Sequence, residues 1–324
     1  MTQVSVIIPT YNRAATLPRA IDSALEQTID DLEVVVVDDG STDDTESVLA
    51  DYEDPRVRSI THDTNRGANV ARNTGIEHAN GEYVAFLDSD DEWHPEKLER
   101  QLSALEGRSS DWVGAYCDSA FDLSGTSGRL RTTAASVLAS RDDEPTREGG
   151  EELMAEILAD NVQPGAGSTL LVRTAVARDV GGFDEDLDRF QDPEFCLRVL
   201  EHGRLAYLDG VLVRRDETGY PPAAVIENAS EQYLAEYDSE VERFENAGYE
   251  IRSSHELVIA KRYLAEGRFL QGLQHLQAAA VSPRAYPGVC WVAGVGVRRR
   301  PRPIVGTLLF ALVATLVGRR ALAR

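Results

Sequence analysis

Three aspartates follow directly after a short apolar segment and form a candidate metal site. Residues 83–87 have the composition of a buried β-strand, and Asp88, Asp90 and Asp91 come immediately after it. Open parallel sheets bind ligands at the carboxyl ends of their strands, and carboxylate oxygens are ligands that Mg²⁺ and Mn²⁺ prefer. The alternative is a solvated turn that caps a helix, because aspartate is common in both.

Two upstream segments repeat this pattern of an apolar strand that ends in polar residues. Residues 4–9 lead into Thr10 and Tyr11, and residues 32–37 lead into a pair of aspartates. The carboxyl ends of parallel strands meet at one edge of a sheet. We therefore expect the three polar ends to lie close together.

Helical patterns separate these strands. Thr16 is placed to cap a first helix with Pro18 in its first turn, Ser41 to cap a second, and residues 69–78 form a third. Parallel strands need such crossover connections. Residues 4–105 are therefore predicted to form a doubly wound, mainly parallel α/β sheet with helices on both faces.

Further motifs lie in a fixed order along the chain, at residues 5–13, 37–43, 65–67, 71–75, 88–91, 180–185 and 191–198. In order, spacing and identity they resemble the family 2 glycosyltransferases of GT-A fold. The resemblance covers roughly the first two-thirds of the chain, and it depends on the whole set because no single motif is decisive. It implies a GT-A catalytic domain that uses a nucleotide-sugar donor.

The resemblance assigns the donor-binding residues. Thr10, Tyr11 and Asp39 would form the base pocket, and Arg72 would contact the nucleotide or its diphosphate. The chemistry agrees, because Tyr11 offers an aromatic face and the Asp39 carboxylate can accept the imide N–H of uracil. We expect a UDP-linked donor, with GDP as the open alternative. The ordinary roles for these residues would be a core tyrosine, a turn-capping aspartate and a solvated helix arginine.

By the same resemblance, Asp90 and Asp91 would bind Mg²⁺ or Mn²⁺, and Asp88 and Asp90 would contact the donor. A cation neutralises the charge that develops on the departing diphosphate without any proton transfer. Which of the three aspartates binds the metal directly stays open.

Asp192 is the candidate general base. The family usually has Glu-Asp at this point, where this chain has Gln191 and Asp192. A carboxylate opposite the leaving group takes the acceptor's hydroxyl proton in a single displacement, so the resemblance implies inversion at the anomeric carbon. The alternative role for Asp192 is the N-cap of the following helix. The Gly-Ala-Gly-Ser segment at residues 165–168 is interpreted as an ordinary turn without a catalytic role, and the alternative is a flexible loop that enters a strand beneath the acceptor site.

The composition indicates an acidic body with a basic end. The chain has 324 residues and a formal net charge of −22, and only Lys97 and Lys261 among its 33 basic residues are lysines. Concentrated salt makes self-repulsion between so many acids tolerable, since the Debye length falls to about 3 Å at 1 M. We therefore expect a halophilic source. The alternative, an acidic surface for one partner, fits less well because the acids are spread along the chain.

The chain is predicted to contain three parts. Residues 1–222 would form the catalytic domain, with a nucleotide-sugar half at about residues 1–105 and an acceptor half at about residues 106–222. Residues 223–297 would form a helical appendage, and residues 298–324 a basic and apolar tail.

The tail is predicted to associate with a membrane surface. Residues 304–317 are uncharged and apolar, and arginines stand on both sides of them. This segment is shorter than the about 20 residues that span a bilayer, so interfacial insertion beside anionic headgroups is favoured. The alternative is a terminal helix packed against the catalytic domain.

The expected location is the cytoplasmic face of the cell membrane, and otherwise the cytoplasm. Met1 begins no secretory signal, and Cys117, Cys196 and Cys290 show no zinc-binding spacing and are expected to be buried thiols.

The predicted function is transfer of one sugar, with inversion, from a nucleotide-sugar donor to a lipid-linked or surface-glycan acceptor. The Gln-x-x-Arg-Trp segment of processive synthases does not follow the base, and no nucleic-acid partner is expected. The alternative from another class is a catalytically silent nucleotide-sugar-binding module of the same fold. A nucleotidyltransferase is a third hypothesis, for which the chain has no glycine-rich, lysine-bearing phosphate loop.

Overall fold

The computed structural model describes residues 2–121, 145–164, 167–216 and 221–279, together with residues 289 and 293. The predicted tail at residues 298–324 lies outside these residues, as do Cys290 and the first half of the Gly-Ala-Gly-Ser segment. No helix in the described part of the chain is long and apolar enough to cross a membrane.

The strands form one mixed sheet. They are β1 (Val4–Thr10), β2 (Leu32–Asp38), β3 (Val57–Thr61), β4 (Tyr83–Phe86), β5 (Glu92–Trp93), β6 (Trp112–Phe121), β7 (Leu171–Arg173) and β8 (Arg204–Arg215). Their order across the sheet is β3-β2-β1-β4-β7-β6-β8-β5.

One half of the sheet is parallel, as predicted. Strand β1 pairs with β2 on one side and β4 on the other, and β2 pairs with β3, all in parallel. Every residue of β1 is buried, which is typical of parallel strands covered by helices on both faces. The register places Thr10 opposite Asp38, so the polar ends of β1 and β2 meet at one edge.

The other half of the sheet brings a distant segment to the same edge. Strand β7 is antiparallel to both β4 and β6, and β6 is parallel to β8. Two successive antiparallel pairings restore the strand direction, so β8 runs the same way as β4. Its last residue, Arg215, therefore lies at the edge where the polar ends of β1, β2 and β4 meet.

Helices cover the sheet. In chain order they are α1 (Leu17–Leu25), α2 (Thr45–Ala50), α3 (Ala68–His78), α4 (Lys97–Leu105), α5 (Glu151–Leu158), α6 (Thr174–Asp179), α7 (Gln191–His202), α8 (Ala223–Glu236), α9 (Asp238–Asn246), α10 (Ile251–Ala265) and α11 (Phe269–Ala278). The helical interpretation of the region after residue 223 is confirmed for α8 to α11.

The helix boundaries agree with the sequence at α1 and α3 but not at α2. Thr16 occupies the N-cap position of α1, as predicted, but its side chain makes no capping hydrogen bond. The predicted cap of α2 is wrong, because α2 begins at Thr45 with Asp44 as its N-cap residue. Ser41 is used elsewhere, since its Oγ atom accepts the N–H of Asn12.

The core lies on both faces of the parallel strands. Val6 and Val36 belong to one buried cluster with Ile21 of α1, whereas Val35 packs with Ala71 of α3 on the opposite face. Full burial of each such side chain stabilises the fold by about 1.5–3 kcal/mol. The α/β architecture with helices on both faces is therefore confirmed.

The chain divides into two compact units. Among the described residues, the first unit holds residues 2–121, 146–157, 162–164 and 167–216, and the second holds residues 145, 158–161 and 221–279. The first unit contains the whole sheet. The predicted domain boundaries at residues 222 and 297 stay a prediction.

Candidate active site

A pocket of about 470 Å³ opens in the first unit at the polar edge of the sheet. Its walls come from the ends of β1, β2, β4 and β8 and from the first turns of α3. It is lined by Pro9, Thr10, Tyr11, Arg13, Asp39, Asn65, Gly67, Ala68, Ala71, Arg72, Asp88, Ser89, Asp90, Asp91, Arg215 and Asp216. All the residues predicted to bind the donor or a metal are therefore in one pocket.

Tyr11 stands on the rim of the pocket and is 42% exposed. The loop that carries it is tied to the loop after β2 through Asn12, which has a left-handed φ of 53°. Asn12 Oδ1 accepts the Thr42 N–H at 2.7 Å, and the Asn12 N–H donates to Ser41 Oγ at 2.9 Å. These bonds hold an aromatic face towards solvent, where a planar base can stack on it.

The Asp39 carboxylate organises the loop before α3. Its Oδ1 atom accepts the Arg66 N–H at 3.0 Å and lies 2.7 Å from His62 Nδ1. Its Oδ2 atom accepts the N–H groups of Arg66 at 3.0 Å and Gly67 at 2.7 Å. Both oxygens are already in two contacts each, so a base N–H would have to share one of them.

Arg72 forms the inner wall of the pocket. It is almost fully buried, with Nη2 2.8 Å from Asp88 Oδ1 and Nη1 3.2 Å from Asn69 Oδ1. Its guanidinium carbon lies 5.2 Å from the centre of the Phe183 ring. Arg72 Nε and Thr10 Oγ1 are buried without a hydrogen-bond partner in the described part of the chain. Unpaired polar atoms in a pocket wall are available to a ligand.

The three aspartates after β4 are crowded. Burial, followed by the charge of Asp88, raises the pKa of Asp90, and the same two causes in the same order raise the pKa of Asp91 to about 7. Carboxylates that raise each other's pKa are stabilised by a cation between them. This electrostatic environment therefore favours a bound metal.

The contacts of the three aspartates differ. Asp91 Oδ2 accepts the Ser168 hydroxyl at 2.6 Å, and its Oδ1 atom accepts the Asp216 N–H at 3.3 Å. The Asp90 carboxylate instead forms an ion pair with Arg13, whose Nη2 atom lies 3.4 Å from Asp90 Oδ2.

The described residues include no ready-made metal cluster. Among them, no three His, Cys, Asp or Glu side chains are arranged to hold a metal ion. Asp90 and the Oδ2 atom of Asp88 fit a hard cation best, because the oxygens of Asp91 are hydrogen-bonded to the protein. Direct metal binding by Asp91 stays a prediction.

The two carboxylate oxygens of Asp192 differ in their hydrogen bonding. Its Oδ2 atom accepts the Gly167 N–H at 3.1 Å, whereas its Oδ1 atom is buried and has no hydrogen-bond partner within the described ranges. Burial raises the pKa of this carboxyl group to about 6, against the lowering effect of the Arg72 charge, and Asp88 raises it further. A raised pKa and a free oxygen are properties of a general base.

The backbone around Asp192 supports this position. Helix α7 begins at Gln191, so Asp192 lies in its first turn rather than at the N-cap position, which Phe190 occupies. Phe190 has a left-handed φ of 59°. A left-handed aromatic residue is strained, and such strain clusters at functional sites.

Several pocket residues were not identified from the sequence. Arg215 Nε lies 3.7 Å from Asp91 Oδ2, and Asp216 follows it at the end of β8. Neither belongs to a motif, and their only sequence signal was a position after an apolar strand. Arg13 belongs to the motif at residues 5–13 but was given no role, and His62, which does not line the pocket, contacts the motif residue Asp39.

The family model that matches this chain is described as "Glycosyl transferase family 2" and covers residues 5–178. The chain belongs to glycosyl transferase family 2. The matched range runs from the second residue of β1 through β7, contains each donor-site residue predicted from the sequence, and ends before Asp192.

Curated relatives agree with this family. The chain is 46% identical over 108 residues to "Putative teichuronic acid biosynthesis glycosyltransferase TuaG" of Bacillus subtilis, a match covering 33% of this chain and 43% of the relative. It is 42% identical over 114 residues to "UDP-Glc:alpha-D-GlcNAc-diphosphoundecaprenol beta-1,3-glucosyltransferase WfgD" of Escherichia coli, covering 35% of this chain and 45% of the relative. The chain thus spans less than half the length of these two relatives.

Solved structures agree with the fold. The S. aureus TarS 1–349 structure in complex with UDP-GlcNAc superposes with a TM-score of 0.57 at 21% identity, covering 94% of this chain and 83% of the TarS 1–349 chain. A Pyrobaculum calidifontis mannosyltransferase in complex with GDP-Man and Mn²⁺ superposes with a TM-score of 0.53 at 18% identity, covering 97% of this chain and 80% of the mannosyltransferase chain. The predicted GT-A fold of this family 2 protein is therefore confirmed.

Proposed function

We propose that this family 2 protein is an inverting, metal-dependent glycosyltransferase that moves one sugar from a nucleotide-sugar donor to a lipid-linked or surface-glycan acceptor. The observation that carries this proposal is the buried, unpaired Oδ1 atom of Asp192, whose charge interacts with Arg72 and Asp88 of the pocket wall. A silent binding module would not need a desolvated carboxylate with a free oxygen beside its ligand pocket.

The donor would occupy the 470 Å³ pocket. Tyr11 and Thr10 would contact the base, and Arg72 would direct its unpaired Nε atom towards the nucleotide or diphosphate. Asp88 and Asp90 would hold Mg²⁺ or Mn²⁺, which, when bound, neutralises charge on the leaving diphosphate. We favour a UDP-linked donor, since the names of WfgD and of the TarS complex both include a UDP-sugar.

Asp192 would act as the general base. Its Oδ1 atom would take the proton of the acceptor hydroxyl while that oxygen bonds to the anomeric carbon and the bond from this carbon to the diphosphate oxygen breaks. Attack from the side opposite the diphosphate inverts the anomeric centre. The Gly167 N–H would keep Oδ2 occupied and leave Oδ1 for the acceptor.

The acceptor class rests on the relatives. WfgD is named for a diphosphoundecaprenol-linked acceptor, TuaG for teichuronic acid biosynthesis and ExoO of Rhizobium meliloti for succinoglycan biosynthesis. These names support a lipid-carried or surface glycan as the acceptor.

A donor screen tests the proposal. Calorimetric titration of several UDP- and GDP-sugars, with Mg²⁺, Mn²⁺ or chelator, would be done in concentrated salt because of the net charge of −22. We expect metal-dependent binding of one UDP-sugar and its slow hydrolysis without acceptor. Binding without any turnover would support the silent module, and full turnover in excess chelator would contradict the metal.

The proposed membrane attachment is tested separately. Deleting residues 298–324 is expected to release the protein into the soluble fraction, because the flanking arginines each contribute about 1 kcal/mol near an anionic surface. Hydrolysis of a soluble donor should be unchanged. Continued flotation of the truncated protein with anionic liposomes would contradict the membrane role of the tail.

A further inference from the structure

The two residues Gly167 and Ser168 contact aspartates from separate parts of the site. Asp88 and Asp91 follow β4, whereas Asp192 lies in the first turn of α7. The loop before β7 reaches all three through short hydrogen bonds or close packing.

Ser168 is fully buried, and its hydroxyl group bridges two aspartates. The Oγ atom accepts the Asp88 N–H at 3.0 Å and donates to Asp91 Oδ2 at 2.6 Å. A backbone amide only donates, so the Ser168 hydroxyl accepts from Asp88 and keeps its own proton for the Asp91 carboxylate. The Ser168 carbonyl accepts the indole N–H of Trp93 at 2.8 Å, so the residue is held on both sides.

Gly167 lies where no side chain fits. Its φ is +45°, and a Cβ atom at this position would lie 2.9 Å from both carboxylate oxygens of Asp88. Its N–H donates to Asp192 Oδ2 at 3.1 Å. Only glycine combines this backbone conformation with the close approach to Asp88.

We propose that Gly167 and Ser168 are positioning residues that set the distance between the donor-site aspartates and the base. This inference rests on the proposed function and assigns a role to a segment that the sequence indicated only as a turn. Ser168 fixes the orientation of the Asp91 carboxylate in the pocket wall, and Gly167 keeps Asp192 Oδ2 occupied. Neither residue touches substrate in this scheme.

The first test removes the Ser168 hydroxyl. In Ser168→Ala, the Mn²⁺-dependent affinity for the donor should fall about tenfold, the value of one hydrogen bond to a charged group. Ser168→Thr restores a hydroxyl and should recover most of the affinity if its methyl group is accommodated. Ser168→Cys keeps the shape of serine but has a larger atom and a weaker donor, and its donor affinity should fall in between.

The matched control is Ser230→Ala. Ser230 is also a buried serine with a hydrogen-bonded hydroxyl, since its Oγ lies 3.0 Å from His255 Nδ1 in the second unit. It should lose a similar amount of thermal stability without any change in donor affinity. An equal loss of donor affinity in both variants would overturn the positioning role.

The second test adds a methyl group at Gly167. Gly167→Ala should lower kcat and donor affinity together, by at least about tenfold each, because displaced Asp88 and Asp192 serve different steps. Gly107→Ala is the control, since Gly107 has a φ of +73° but nothing within 4 Å of an added Cβ atom. It carries the same kind of backbone strain without the clash and should leave both constants unchanged.

Crystal structures separate a failure of this inference from a failure of the proposed function. If the wild-type protein binds no nucleotide sugar, the proposed function fails, but the position of Asp91 in Ser168→Ala is still measurable. Rotation of Asp91 away from its place beside Asp216 supports the positioning role. An unmoved Asp91, or wild-type donor affinity in Ser168→Ala of an active enzyme, overturns it.

Discussion

Two regions of this molecule bury an aspartate in opposite ways. At the end of β2, the Asp39 oxygens make four contacts, with the N–H groups of Arg66 and Gly67 and the His62 ring. At the start of α7, Asp192 has one hydrogen bond, from Gly167, and a buried oxygen without a partner in the described chain. A carboxylate with satisfied oxygens organises a loop, whereas one with a free oxygen is available for proton transfer.

The difference follows from what surrounds each group. The loop after β3 turns several backbone N–H groups towards Asp39, and these groups need an acceptor as much as the carboxylate needs donors. Asp192 is surrounded by few donors; burial raises its pKa, and the charge of Asp88 raises it further. The first region is thus expected to respond to mutation mainly in stability, and the second mainly in rate.

The largest expected effect is on transfer. Asp192→Asn should slow transfer by about 100-fold or more, the usual loss for a general base, while leaving donor binding nearly unchanged. Single-turnover kinetics and calorimetry measure the two quantities separately. Glu201→Gln, an exposed substitution on the same helix, is the control. Equal losses in donor binding and rate would give Asp192 the same organising role as Asp39.

The second effect is on stability at the other region. Asp39→Asn should lower the free energy of unfolding by about 2–3 kcal/mol, because an amide nitrogen cannot accept the N–H groups that the carboxylate holds. Denaturant titration measures this difference. Asp63→Asn, at an exposed site next to His62, should change stability little. If Asp39→Asn has the same free energy of unfolding as the wild-type protein, Asp39 does not stabilise its loop and the proposed difference from Asp192 is wrong.

A buried charge of opposite sign extends the comparison. Lys97 is fully buried, with Nζ 2.8 Å from Gln101 Oε1 and 3.8 Å from the centre of the Trp93 ring. Burial lowers its pKa to about 8. Above about pH 8 the unfolded chain binds more protons at this site than the folded one, so stability rises with pH until the unfolded pKa near 10.5.

Lys97→Met should remove this rise. Between pH 7 and 9.5 the free energy of unfolding of the wild-type protein should rise by about 2 kcal/mol relative to that of the variant. Denaturant titrations of both proteins across this pH range measure the difference. Parallel pH dependences of the two proteins would show that Lys97 is not desolvated. The contact between Lys97 and the Trp93 ring would then not involve a desolvated ammonium group.

The smallest expected effect is the pH dependence of transfer. The pKa of Asp192 is raised to about 6, and its base form is the carboxylate. The transfer rate at saturating donor should therefore fall about tenfold per pH unit below this value. Asp192→Asn should lose this dependence, and a wild-type rate that is flat down to pH 5 would contradict the assignment.

Much of the donor side was predictable because its residues follow their strands directly. The apolar segments before Thr10, Asp39 and Asp88 determine three strands, and parallel strands place their carboxyl ends at one edge. The resemblance then supplied Arg72 and Asp192 as residues of the same site. Ser41 was misassigned because its hydroxyl is used by Asn12, 29 residues away, and not by the local helix.

Only the tertiary structure decided which hydrogen-bond partners each carboxylate has. Ser168 and Asp91 are 77 residues apart in the chain, and no periodicity or motif links them. Arg215 reaches the pocket because two antiparallel pairings turn β8 into the direction of β4. The sequence by itself determined which residue types gather at the edge of the sheet, since strand direction and burial follow from local patterns. Hydrogen-bond partners follow from packing between distant segments, and that packing separates the saturated Asp39 from the free oxygen of Asp192.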